Sequence, residues 1–152
     1  MEGFRDKYEI ADHSVVDVGS LDINGSYREL FTNYTGLDIV AGKNVDVVAP
    51  GKYDYGEEKY DVVISGQTME HVEDIYAHVD ALAKISKDLV CIIVPTYGWR
   101  EHRHPVDCWR VFPDGLKFLL KRSGLEVLEC ETHYALHQGV RIGETIAVAR
   151  VK

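Results

Sequence analysis

Cysteine is scarce: Cys91, Cys108 and Cys130 are the only three in 152 residues. They are odd in number, widely spaced and free of any Cys-x-x-Cys pair. That pattern argues against a disulfide framework or a zinc ribbon and fits reduced cytosolic thiols. Basic residues are also in short supply, 17 Lys and Arg against 25 Asp and Glu, for a net charge of −8. Binding to duplex nucleic acid leans on excess Lys and Arg, so such a partner is not expected, although the stretch 100–110 is locally basic. No apolar run approaches the length of a membrane span, and the opening Met-Glu-Gly-Phe-Arg-Asp lacks the apolar core of a signal peptide. The expected location is the cytoplasm, with no membrane partner. Repeats, linkers and low-complexity tracts are missing too, so residues 1–152 read as a single domain, large enough to bury a core.

What is present is an alternation of apolar runs and turns. Val15, Val16 and Val18 form a β-branched run interrupted by Asp17, as expected of a strand buried on both faces. Gly19 to Ser26 supply a turn, and Tyr27, Leu30 and Phe31 then recur at helical spacing. Strand, glycine turn and helix is the arrangement with which an open α/β sheet meets a ligand. Before it, residues 1–13 read as a polar lead-in. After it come predicted strands at 34–39, 45–48 and 61–65, with a Pro- and Gly-containing loop at 49–59. Val72, Ile75, Val79, Leu82 and Ile85 lie three or four apart, which predicts an amphipathic helix from Glu70 to about Lys87. Leu89 to Val94 is an almost wholly apolar strand stopped by Pro95.

Residues 95–111 form a long irregular stretch rich in Trp, Tyr and His, and loops of that length in compact domains are usually functional. Pro113 and Gly124 bracket a helix, and alternating strands at 125–131 and 144–151 close the chain as an antiparallel pair. Buried parallel strands first and a hairpin last describe an α/β three-layer sandwich.

In order and spacing, the stretches Val-Val-Asp-Val-Gly-Ser (15–20), Gly-Leu-Asp-Ile (36–39), Tyr-Asp-Val-Val-Ile-Ser (60–65) with Met-Glu-His-Val (69–72), and His-Pro-Val-Asp-Cys-Trp-Arg-Val-Phe-Pro-Asp-Gly-Leu (104–116) resemble the class I S-adenosylmethionine-dependent methyltransferases, in particular their small methyltransferase-domain proteins. The resemblance covers about residues 14–150. It implies a Rossmann-like, mostly parallel seven-stranded sheet of order 3-2-1-4-5-7-6, with strand 7 antiparallel near the C-terminus. It also implies S-adenosyl-L-methionine as cofactor and a methyltransferase activity. The family's Gly-x-Gly-x-Gly loop is reduced here to Gly19, with Leu21 and Ile23 at the other two places, and Ala49-Pro50 stand where many members carry an acid for the adenine.

Mapped residue by residue, the resemblance implies a cofactor set of Asp17, Gly19, Ser20, Asp38, Ile39, Tyr53, Ser65 and Gln67. Asp38 would accept hydrogen bonds from the ribose hydroxyls, a recurring use of an acid at the end of a second strand. Gly19 would let the backbone approach the cofactor's amino-acid part, and Asp17 would reach its amine. Tyr53, with Tyr55, would stack on the base, whereas the plain reading packs both tyrosines onto the sheet edge. Ser65 and Gln67 lie on the rim where cofactor and acceptor meet.

Methyl transfer from a sulfonium needs alignment and exclusion of water more than covalent help. If a general base is needed, the candidates are His104, His71 and Asp107. His102, His104 and Asp107 also invite a metal, but His-x-His-x-x-Asp is no familiar ligand spacing, and none is expected. The 95–111 loop is instead expected to roof the acceptor pocket. The acceptor is expected to be a small molecule, sugar or protein, and an exposed sheet edge could pair two chains as a homodimer. Two rivals stand beside the enzyme. One is a non-catalytic adenosyl-binding protein, the other an NAD(P)-binding oxidoreductase, for which Asp38 lies at about the right distance past the first glycine.

Overall fold

The β-branched runs become the centre of one sheet. In the computed structural model, which describes every residue except Asn24, the strands are β1 (Ser14–Val18), β2 (Asn33–Asp38), β3 (Val47–Val48), β4 (Tyr60–Gly66), β5 (Ser86–Pro95), β6 (Glu126–His137) and β7 (Val140–Arg150). Their order is β3-β2-β1-β4-β5-β7-β6. The first five run parallel to one another, and β7 runs antiparallel to both β5 and β6. Fold class, strand order and the antiparallel strand are as the sequence led one to expect.

Alternation along the strands divides the core between two faces. Val16, Val18, Val63, Val90 and Ile92 point to the face covered by α2 (Ile75–Ile85) and α3 (Pro113–Arg122). Val15, Val62, Ile64, Leu89 and Cys91 point to the other, covered by Phe31, by Phe4 of α1 (Glu2–Lys7) and by Tyr8, which caps the C-terminus of α1. Residues 1–13 are therefore more than a lead-in. Their Phe4 and Tyr8 lie one turn apart on the same side of a short helix and close the second layer.

Two local expectations fail. The stretch after β1 is not an α-helix; it makes a single 3-10 turn at Arg28–Leu30. Gly25-Ser26 disfavours a helix, and the four residues left before the extended Phe31 are too few to nucleate one. Likewise α2 begins at Ile75, not Glu70, because the Asp74 carboxylate caps it by accepting from the N–H groups of Tyr76 and Ala77 at 3.1 and 3.0 Å. Met69–His71 forms a separate 3-10 turn. The carboxyl ends of the parallel strands thus open onto two turns rather than two helix N-termini.

Candidate functional site

At the β1–β2 end, the predicted cofactor residues come together and most already have partners. Asp17 shares the face of Val15 and is buried. It accepts a 2.6 Å hydrogen bond from Tyr34 Oη, which in turn accepts from Asn44 Nδ2 at 2.9 Å. Burial raises the Asp17 pKa to about 6 despite that bond. Arg28 completes the chain, donating to Asn44 Oδ1 at 2.7 Å and lying over the Tyr34 ring.

Asp38 accepts from the Leu21 N–H and the Val40 N–H, both at 3.1 Å, so its carboxylate clasps the glycine turn onto β2. Ser20 is buried, with its Oγ toward the Asn44 carbonyl at 3.2 Å. Ile39 and Val40 follow Asp38 as an exposed apolar pair. Gly19 has φ +85°, and a Cβ there would collide with the Thr68 side chain. A second contact of this kind occurs at Gly66, where a Cβ would meet Tyr27 Oη.

Ser65 is buried and faces α2 rather than the strand-end rim. Its Oγ lies 3.1 Å from His78 Nε2, and His78 Nδ1 lies 2.6 Å from Tyr55 Oη. Full burial lowers the His78 pKa to about 4, so the ring is neutral and the three groups satisfy one another inside the core. Tyr55 is thus a core residue. Tyr53 stands outside, accepting the Asp74 N–H at 2.8 Å, and lines an open groove of about 470 Å³ with Glu73, Ile75, Tyr76 and Trp109. Gln67 reaches across the sheet and donates to Glu144 Oε1 at 2.6 Å.

The β4–β5 end differs. The irregular stretch after β5 folds back over the 3-10 turn that follows β4, tied by the Cys108 N–H to the Glu70 carbonyl at 2.7 Å and by Trp109 Nε1–H to the Val72 carbonyl at 2.7 Å. This places Glu70, His71 and His102 around one point, their ligand-type atoms all within 4.8 Å of one another. Glu70 is wholly buried, and neither carboxylate oxygen has a hydrogen-bond partner among the described residues. Desolvation raises its pKa to about 7. Burial lowers the His71 pKa, and its Nδ1 lies 2.7 Å from the Val106 carbonyl.

Asp107 is fixed by Arg110 at 2.5 and 2.8 Å and by the His102 N–H at 2.7 Å, which holds its carboxyl well below the usual range. A carboxylate so engaged is an anchor for the loop and a poor base. His104 is exposed, its ring 5.6 Å from that of His71.

Neither a known family model nor a curated protein matches the chain. Solved structures do. A methyltransferase dependent on S-adenosylmethionine from Methanosarcina mazei superposes with a TM-score of 0.73 at 12% identity, covering 97% of this chain and 96% of that one. The chain has the class I methyltransferase fold. Magnesium protoporphyrin IX methyltransferase of Synechocystis, with S-adenosylhomocysteine bound, matches with a TM-score of 0.69 at 13% identity, over 99% of this chain and 80% of the other. The 1,6-didemethyltoxoflavin-N1-methyltransferase of Burkholderia thailandensis, with its substrate and S-adenosylhomocysteine bound, gives 0.70 at 11% identity, over 99% and 76%. At such identities the likeness is one of fold.

Within this class I methyltransferase fold, sequence reasoning picked out Asp17, Gly19, Ser20 and Asp38 at the end of β1 and β2, and the structure gathers them. It missed the grouping of Glu70 with His71 and His102. A signal was there: β4 and β5 are parallel neighbours, so the segments leaving their carboxyl ends must meet on one edge. It also missed His78, although its place on the apolar face of the 75–85 pattern marked it as a core histidine.

Proposed function

We propose that this chain is an S-adenosylmethionine-dependent methyltransferase acting on a small molecule, with the cofactor across the carboxyl ends of β1, β2 and β4 and the acceptor beneath the 95–111 loop. The observation that carries this reading is the sheet itself. Antiparallel β7 is inserted between β5 and β6, and the chain so built superposes over 99% of its length on structures solved with S-adenosylhomocysteine. Dinucleotide-binding sheets of order 3-2-1-4-5-6 lack that insertion, which disfavours the oxidoreductase.

In this reading the Asp38 carboxylate, steadied by two backbone N–H groups, uses its remaining lone pairs for the ribose hydroxyls. Exposed Ile39 and Val40 offer the adenine an apolar seat beside it, and Tyr53 is the ring that would stack on the base. Gly19, Ser20 and Gln67 contribute backbone groups around the methionine portion. Asp17 faces its amine, and Ser65 contributes main chain only, since its hydroxyl is turned to His78. Across the rim, His104 is an exposed imidazole that can take a proton from an acceptor hydroxyl or amine. S-adenosylmethionine supplies the activated methyl group. The chain's part is to align the acceptor and keep water out.

A non-catalytic adenosyl-binding protein is the second reading, and one set of contacts bears on both: Thr68 packs on Gly19 and Tyr27 on Gly66, which crowds the cofactor side of the turn, and the two cavities beside Trp109 are not lined by Gly19, Asp38 or Ser65. Calorimetry separates the readings. A methyltransferase binds S-adenosylmethionine and S-adenosylhomocysteine and ignores nicotinamide dinucleotides, and turnover of an acceptor distinguishes it from a mere binder. Absence of heat with either sulfur nucleoside rejects both adenosyl readings.

A further inference from the structure

Glu70 is a buried carboxylate with no hydrogen-bond partner for either oxygen among the described residues. The nearest cationic centre types are two imidazoles rather than an Arg or Lys. Leaving such a group unmet carries a desolvation cost that a bound cation would offset. What surrounds it has a definite orientation. His71 Nδ1 is spent on the Val106 carbonyl at 2.7 Å, and His102 Nδ1 on the Arg100 carbonyl at 3.0 Å. With the N–H on Nδ1 in each ring, both Nε2 lone pairs are free, and each Nε2 stands 3.6 Å from the same Glu70 Oε1.

Metal-bound histidines are held in this way, with the second ring nitrogen donating to a carbonyl or carboxylate that fixes tautomer and aim. Ligand bonds of 2.0–2.2 Å around a tetrahedral ion put neighbouring donor atoms about 3.4 Å apart. The two Glu70–histidine separations, 3.6 Å each, come close to that spacing, and the three ligand-type atoms all lie within 4.8 Å of one another.

We propose that Glu70, His71 and His102 bind a divalent first-row metal ion of the zinc class, with a fourth position open to water or to an oxygen of a substrate. Two imidazoles and one carboxylate are a donor set for such an ion and not for magnesium, which takes oxygen ligands. The open position follows from exposure: the His102 side chain is about one-third exposed while Glu70 is closed from behind. Asp107 supports the site without joining it. Its Oδ2 accepts the His102 N–H at 2.7 Å and is neutralised by Arg110. If the methyltransferase reading holds, an ion here would sit at the acceptor side of the rim and lower the pKa of an acceptor hydroxyl bound to it.

The test needs neither cofactor nor acceptor, so its failure is distinct from failure of the methyl-transfer reading. Metal-free protein is titrated with Zn²⁺ in competition with a chromophoric chelator, and separately with Co²⁺ while the visible spectrum is recorded. One equivalent of Zn²⁺ should bind, and Co²⁺ should give the intense visible bands of a four-coordinate site. Glu70→Gln and His102→Gln should each weaken Zn²⁺ at least tenfold and abolish the Co²⁺ bands. His133→Gln, which alters an exposed histidine paired with Glu131 on β6, should leave both unchanged. The partly exposed His102 can be replaced without opening the core, so loss of binding with an unchanged circular dichroism spectrum supports the site. Equal Zn²⁺ affinity in wild type and His102→Gln, no stoichiometric binding by the wild type, or preference for Mg²⁺ would overturn it.

Discussion

The two ends of the strand edge solve the same electrostatic problem in opposite ways. At the β1–β2 end, acids are met from within: Asp17 by Tyr34, Asp38 by the Leu21 and Val40 N–H groups, Asp46 by Arg28. At the β4–β5 end, Glu70 is more deeply buried and has no hydrogen-bond partner among the described residues, while two imidazole nitrogens converge on it. A satisfied acid can shape a loop and still lend lone pairs to a neutral ligand such as a ribose. An unsatisfied one calls for a cation or a proton. The difference teaches where to look for each activity: neutral recognition near Asp38, charge chemistry near Glu70.

The largest effect expected from breaking this contrast lies at the acceptor side. His104→Ala should lower the methylation rate by about 10²–10⁴-fold and leave S-adenosylhomocysteine affinity intact. Single-turnover rates beside binding isotherms check this, and a full rate in the variant would show that alignment alone suffices.

Next comes a pH effect from Asp17. Its folded pKa of about 6 lies above the ordinary 3.8, so the folded state holds this proton more tightly than the unfolded state. Its contribution is therefore most favourable below about pH 4 and is lost as pH rises through 4 to 6, by up to about 3 kcal/mol at 1.4 kcal/mol per pH unit. Asp17→Asn should flatten that decline in denaturant titrations at pH 4 and pH 7. His78 works in the other direction. With its folded pKa lowered to about 4, it costs stability as pH falls below about 6.5 in wild type and variant alike, and so cancels in the comparison.

Asp38→Ala should then weaken S-adenosylhomocysteine by about 1.5–3 kcal/mol, the range for hydrogen bonds to a charged group. Because Asp38 also clasps the glycine turn, a stability loss of about 1 kcal/mol should accompany it. A stability loss with unchanged affinity would leave Asp38 a clasp only. The smallest effect belongs to Tyr53→Phe, which keeps the ring and removes the acceptor for the Asp74 N–H. It should cost about 0.5 kcal/mol in thermal unfolding without altering cofactor affinity.

Much of this was legible in the chain. The β-branched runs at 15–18, 61–65 and 89–94 announced buried parallel strands, and the motif order supplied their arrangement. What escaped were features decided at short range by a few residues or at long range by the fold. Val72 keeps helical phase with Ile75 and Val79, yet Asp74 captures the helix start and leaves Val72 extended. Tyr27, Leu30 and Phe31 keep helical phase too, but Gly25-Ser26 before them and the short span to β2 prevent a helix.

The site divides in the same manner. Asp17, Gly19 and Asp38 sit at strand ends, where local sequence reports position. The pairing of Glu70 with His102 joins residues 32 apart in sequence through a loop folded back by Cys108 and Trp109. Linear spacing among His102, His104 and Asp107 pointed away from it. Asp107 turned out to belong to Arg110.

The measurement that bears most directly on the central claim is the backbone amide NMR spectrum of the isotopically labelled protein titrated with S-adenosylhomocysteine. If the cofactor lies across the carboxyl ends of β1, β2 and β4, the amides that move should be those of Gly19 to Asp22, Asp38 to Val40 and Ser65 to Gln67, while those of α3 and β6 stay in place. Saturation that shifts only residues elsewhere, or no shift at millimolar ligand, would contradict the account.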